Sequence, residues 1–172
     1  MDPATGIIAV IAEQLGTAIQ ATAGWSDLVD ATIHYNDLPP PASGVDHTKL
    51  ELVNLRPFAL IWTIDEGGFT ATRNTTGGMC VDRTGQLLIR IERNVPADTS
   101  DADAERQWEN IISRIMDNGD PANPGLIQLG GDPRYLPITS ITRLESTRSA
   151  PEKRTEIGDA QRAFLHVIWA SE

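Results

Sequence analysis

The residues able to do chemistry in this chain are three histidines, one cysteine, 24 carboxylates and three glycine pairs. A zinc hydrolase would place a second histidine or a carboxylate four residues on from a histidine, on one helical face. His34, His47 and His166 sit in unrelated contexts without that spacing. His166 lies inside an apolar run, which suits a hydrogen-bonded core or interface histidine rather than a ligand. A phosphate loop needs a Lys-Ser or Lys-Thr sequel that opens a helix. Gly67-Gly68, Gly77-Gly78 and Gly130-Gly131 lack it and form no Gly-x-Gly-x-x-Gly, so they read as turns. There is no Gly-x-Ser-x-Gly nucleophile elbow. Cys80 stands alone, which excludes an internal disulfide and a cysteine-based zinc site; it reads as a small half-buried side chain. Asn74-Thr75-Thr76 matches a glycosylation sequon but reads as a flexible loop. The carboxylates allow an acid–base pair in principle. Asp98, Asp101, Asp103, Glu105 and Glu109, however, gather where a helix begins, and the helix dipole accounts for them without catalysis. The expectation is a protein with no enzymatic activity, no metal and no cofactor.

Composition narrows the class further. A chain of 172 residues with 40% hydrophobic and 22% charged residues is expected to form one domain with a real core. Aromatics make up only 5%, so aliphatic side chains must fill that core. The net charge of −10 argues against tight nucleic-acid binding, which needs clustered Lys and Arg, though DNA could slide past such a surface. No secretory signal is expected, because Met1-Asp2-Pro3 lacks a basic segment and Glu13 breaks the apolar run that follows. No stretch approaches the roughly 20 apolar residues of a membrane span.

The elements that would position these residues follow from periodicity. Asp2 and Pro3 suit an N-cap and first helical position, and Ile7, Ile8, Ile11, Leu15 and Ile19 recur at helical steps. This predicts a helix over 3–21 closed by Gly24. Val29, Ala31, Ile33 and Tyr35 alternate as a strand would; Leu50, Leu52 and Val53 suggest another short strand. The spacing over 56–65 predicts a strand apolar on both faces, with Phe58, Leu60, Trp62 and Ile64 on one and Ala59, Ile61 and Thr63 on the other. Its two covers would be a helix and a neighbouring subunit. Glu66-Gly67-Gly68 reads as a turn, with 69–73 returning as an antiparallel strand. Residues 79–83 suggest a short strand or bulge. Leu87, Ile89 and Ile91 then alternate with Leu88, Arg90 and Glu92 as a long strand. After Pro96, Ser100 or Asp101 would cap a helix whose Ala104, Trp108, Ile111, Ile112 and Ile115 share one face. It stops at Asn118-Gly119, before Pro121. Strands over 136–146 and 161–171 would complete the chain. Exposed loops are expected near 37–48, 66–78, 119–135 and 146–160.

This order of elements resembles the tail terminator proteins of long-tailed bacteriophages and their relatives among neck and tail-completion proteins. Pro57-Phe58-Ala59-Leu60-Ile61-Trp62, Leu87-Leu88-Ile89-Arg90-Ile91-Glu92-Arg93 and Arg106-Gln107-Trp108-Glu109-Asn110-Ile111-Ile112 carry it, and Phe164-Leu165-His166-Val167-Ile168-Trp169 fits that family's final strand. The segment from Pro39 and the loop over 122–134 fall outside the pattern. The resemblance implies an α/β fold of the α+β type, with a mostly antiparallel sheet flanked by two main helices. It also implies a homo-oligomeric ring, usually a hexamer, that caps the tail tube protein and meets the head connector protein in the virion, after assembly in the host cytoplasm. DNA would pass through its lumen unbound. A head-completion or other connector subunit is the nearest alternative, and a small acidic enzyme or ligand-binding domain a more distant one. The candidate interface residues are Glu66, Gly67 and Gly68 after the apolar strand, Arg90, Glu92 and Arg93 on the long strand, and Asp98, Asp101 and Asp103 at the helix start.

Overall fold

The computed structural model describes residues 6–41, 47–65, 69–73, 76–77, 79–117, 125–129, 138–144 and 160–171. The first apolar pattern forms α1 (Ile7–Gln20), which fully buries Ile11, Leu15 and Ile19. It begins later than the sequence suggests: Gly6 is its N-cap, and Asp2 and Pro3 lie outside the described residues. Gly24 does not close it either. Ala21 ends α1, and Gly24 sits within a second short helix, α2 (Ala23–Ser26), whose N-cap Thr22 accepts from the Trp25 amide at 3.3 Å. Glycine is used there because α2 lies almost against the backbone of the fourth helix, described below.

The strand expected from Val29 shrinks to β1 (Thr32–Tyr35), with Val29 exposed. Asp30 and Asn36 on either side take φ of 60° and 67°, a left-handed conformation that short polar side chains tolerate and that interrupts a strand. Leu50, Leu52 and Val53 belong to a helix, α3 (Lys49–Leu55), rather than a strand. Its cause is local. Thr48 Oγ1 accepts from the Glu51 amide at 3.2 Å while Glu51 Oε2 accepts from the Thr48 amide at 2.7 Å, the reciprocal capping box that Thr-x-x-Glu encodes.

β2 (Phe58–Asp65) pairs antiparallel with β4 (Met79–Asn94) from Phe58↔Glu92 to Asp65↔Gln86. β3 (Phe69–Arg73) then pairs with the same strand from Phe69↔Arg83 to Arg73↔Met79. β3 therefore continues along the line of β2 and does not pair back on it; the expected turn Glu66-Gly67-Gly68 lies outside the described residues. The chain reverses between Arg73 and Met79 instead, where Gly77 takes φ +87°. Residues 79–83 are the start of β4 rather than a separate short strand. α4 (Asp101–Met116) forms as its sequence pattern predicts, capped by Ser100 and burying Ala104, Trp108, Ile111, Ile112 and Ile115. Each large apolar side chain contributes roughly 1.5–3 kcal/mol, enough to anchor the helix to the sheet. Within the expected loop over 119–135, Leu126–Gln128 is a 3-10 turn, and Leu126 and Leu129 are fully buried. β5 (Ile138–Leu144) and β6 (Ala160–Ser171) complete a sheet of order β1-β2-β4-β6-β5, with β3 beside β4.

The fold is α+β, built on one sheet that is antiparallel except for the β1–β2 pair. Ala59 and Ile61, Leu87, Ile89 and Ile91, and Ala163, Leu165, Val167 and Trp169 point to one face and join α1, α2 and α4 in the core. Among the described residues, β2 and β6 are thus covered on one face, by α1, α2 and α4. Their other apolar face is half-open: Leu60, Trp62 and Phe164 are half-buried, and Ile64 is 52% exposed.

Candidate functional site

Strand alternation assigns every second residue of β4 to the open face, so Gln86, Leu88, Arg90 and Glu92 lie there while Leu87, Ile89 and Ile91 enter the core. Pairing across the strands lines up Phe58, Glu92 and Arg162 in one row, and Leu60, Arg90, Phe164 and Leu144 in the next. The Glu92 carboxylate is 0% exposed, and three guanidiniums surround it. Arg56 Nε donates to its Oε1 at 2.9 Å, and Arg162 Nε lies 3.0 Å from the same oxygen. Arg90 Nη2 pairs with Oε2, and the Arg90 Nε is buried without an acceptor. Arg56 Nη1 donates to Asn94 Oδ1 at 3.3 Å, and Asn94 Nδ2 donates to the Val53 carbonyl at 2.9 Å, which ties α3 to this end of the face.

Among the described residues, three cations around one anion leave a positive surplus in an acidic protein. Burial pushes the Arg56 guanidinium below its usual pKa, Glu92 opposes this, and Arg162 and Arg90 lower it further. A guanidinium still carries its charge at any physiological pH, so the cluster does not exchange protons. What it can do is pair with carboxylates or phosphates, for which the planar fork is suited. The apolar border of the site is set by Phe58, with Arg90 over its ring at 5.7 Å and the His34 ring edge-on at 6.0 Å.

Burial holds the His34 imidazole below its usual pKa of 6.5. The unfolded chain then binds the proton more readily, so stability is complete above the unfolded value and falls as pH drops from 6.5 through the folded pKa. His34→Asn is expected to show a shallower loss of Tm than wild type between neutral pH and the onset of carboxylate titration. Equal slopes would remove His34 as the cause.

The structure separates the residues that the sequence grouped. Arg90 and Glu92 belong to the cluster. Arg93 points to the opposite face, where Nη2 donates to the Ala104 carbonyl at 3.0 Å, Nε to Gln161 Oε1 at 2.7 Å, and the guanidinium lies 5.5 Å from the Trp108 ring. Its role is to fasten α4 to the sheet. Asp98, Asp101 and Asp103 are exposed at the α4 start, with Asp103 paired to Arg106. Glu109 leaves that acidic group altogether: both its oxygens accept from Arg143 of β5 at 2.8 Å. Glu66, Gly67 and Gly68 lie outside the described residues, and so does the Cys80 side chain. His166 is satisfied, its Nε2 2.8 Å from Gln86 Oε1, but on the open face rather than in the core. Arg56, Asn94 and Arg162 had no signal of their own in the sequence. The one available hint was Arg90-x-Glu92, two charges on the same face of a strand whose neighbours are apolar.

No protein-family model matches this chain, and no curated protein does. Among the described residues no group of three or more His, Cys, Asp or Glu is placed to hold a metal ion, and no helix is long and apolar enough to cross a membrane.

Proposed function

We propose that this protein is a non-enzymatic virion subunit, a tail terminator that assembles as a ring on the end of a phage tail tube and meets the head connector. The observation that carries this reading is the one-sidedness of the sheet. Helices seal one face, while the other presents Leu60, Trp62, Leu88, Phe164 and Ile168 as a half-exposed apolar patch ending in a cationic cluster. A contiguous apolar surface of this kind marks a protein contact. Two unlike faces on one subunit suit a head-to-tail contact, the kind that closes into rings. The net charge of −10 suits a lumen that DNA crosses without adhering.

The test is where the protein goes during assembly. In lysates of the encoding phage it is expected to copurify with complete tails that lack heads, and native mass spectrometry of the released protein should give a closed ring, six subunits being expected. Recovery with filled capsids alone would make it a head-completion subunit. A strict monomer that binds a metabolite would end the structural reading.

A further inference from the structure

We infer that the open sheet face is the docking surface for a second copy of this chain, whose α4 start supplies the carboxylates that Arg90 and Arg162 face. This inference rests on the ring reading above and says which surfaces make the ring.

The apolar part of the face, Leu60, Trp62, Leu88 and Phe164, is half-buried by its own chain. At one end, among the described residues, three guanidiniums share one carboxylate, and the Arg162 and Arg90 side chains are 40% and 25% exposed. Among the described side chains of this face Glu92 is the only carboxylate, so a twofold face-to-face dimer would bring the cluster no new acid. The complement lies on the other side of the molecule. Asp98, Asp101, Asp103 and Glu105 crowd the α4 start, where Arg106 pairs with Asp103, and the first three are exposed. In a chain with 24 acids and 14 bases, a cationic surplus on an apolar face is matched by this acidic surface.

Placement favours a ring over an open stack. Arg93 follows Glu92 directly on β4 and reaches the Ala104 carbonyl, so the acidic helix start and the arginine cluster occupy the same end of the sheet on opposite faces. Two patches joined by a rotation about a ring axis must lie at equal distance from that axis and at equal height, which two surfaces at one end of the sheet can satisfy.

Two full-length variants test this by native mass spectrometry and light scattering, with circular dichroism confirming that both are folded. Arg162→Glu makes the open face more acidic, and Asp98→Lys with Asp101→Lys makes the helix start basic. Each variant alone places like charges at every contact and is expected to assemble about tenfold more weakly than wild type, or less. Mixed one to one, the two are complementary at every contact and should restore wild-type assembly in alternating rings. If wild type forms a ring and both variants assemble as well as it does, the docking assignment is wrong and the ring reading stands. If wild type stays monomeric at every concentration and on purified tail tubes, the ring reading fails and takes this inference with it.

Discussion

Replacing Glu92 with Gln is expected to destabilise the protein by about 3–5 kcal/mol, a large share of a typical domain stability of roughly 5–15 kcal/mol. The carboxylate is fully buried and faces Arg56, Arg90 and Arg162. Glutamine keeps the shape but removes the negative charge that all three guanidiniums share, with the 2%-exposed Arg56 side chain lying beside two other cations. Charge, rather than the number of hydrogen bonds, sets the cost. Adding Arg162→Gln should therefore recover part of the loss, because it removes one of the uncompensated cations. Urea unfolding of the four chains in the double-mutant cycle measures both effects. A loss below about 1 kcal/mol for Glu92→Gln would mean that water already screens the cluster, the behaviour of an exposed pair.

The second large effect is a contrast between two glycines. In Gly24→Ala the new Cβ would meet the Ile111 carbonyl oxygen at 2.3 Å and the Ile115 amide nitrogen at 2.9 Å, both backbone atoms of α4. A hydrogen-bonded helix cannot yield there, so α2 must move and disturb the buried Trp25 and Leu28. Overpacking of this kind costs about 1–3 kcal/mol, which outweighs the gain of up to about 1 kcal/mol from alanine's helix propensity. In Gly16→Ala the nearest obstacle is the Tyr35 hydroxyl at 2.2 Å, the far end of a side chain that is 42% exposed and can swing away. Gly16→Ala should therefore be neutral or stabilising by up to about 1 kcal/mol. Thermal unfolding of the two variants decides it. Equal losses would show that α1 and Tyr35 are as tightly fixed as the α2–α4 contact.

Both results turn on features that neighbouring residues do not encode. Gly24 read as a helix terminator because glycine is common at such positions, yet its actual constraint is a helix almost ninety residues away. The Glu92 cluster is assembled from two strands, β4 and β6, and the approach to β2, and Arg56 and Arg162 come to it from 36 and 70 residues away. Arg90 and Glu92 were legible as charges on a strand, but their joint burial was not. β3 illustrates the same limit. Two short apolar runs around a Gly-Gly pair suggest a hairpin, whereas pairing with one long partner strand makes them collinear. The missed α3 is different, since its Thr48-x-x-Glu51 box is local and was readable.

By itself, the sequence determined the helices α1 and α4, the strands β2, β4 and β6, the core face of β4, and a net negative charge. These follow from periodicity and composition, which act over a few residues or over the whole chain. Only the tertiary structure decided that the helices seal a single face, that Arg93 fastens α4 while its neighbour Glu92 gathers three arginines, and that Glu109 is taken by Arg143. The physical reason is that adjacent residues of a strand point to opposite faces. Their partners are then set by which strands lie alongside, and that pairing is decided by long-range packing.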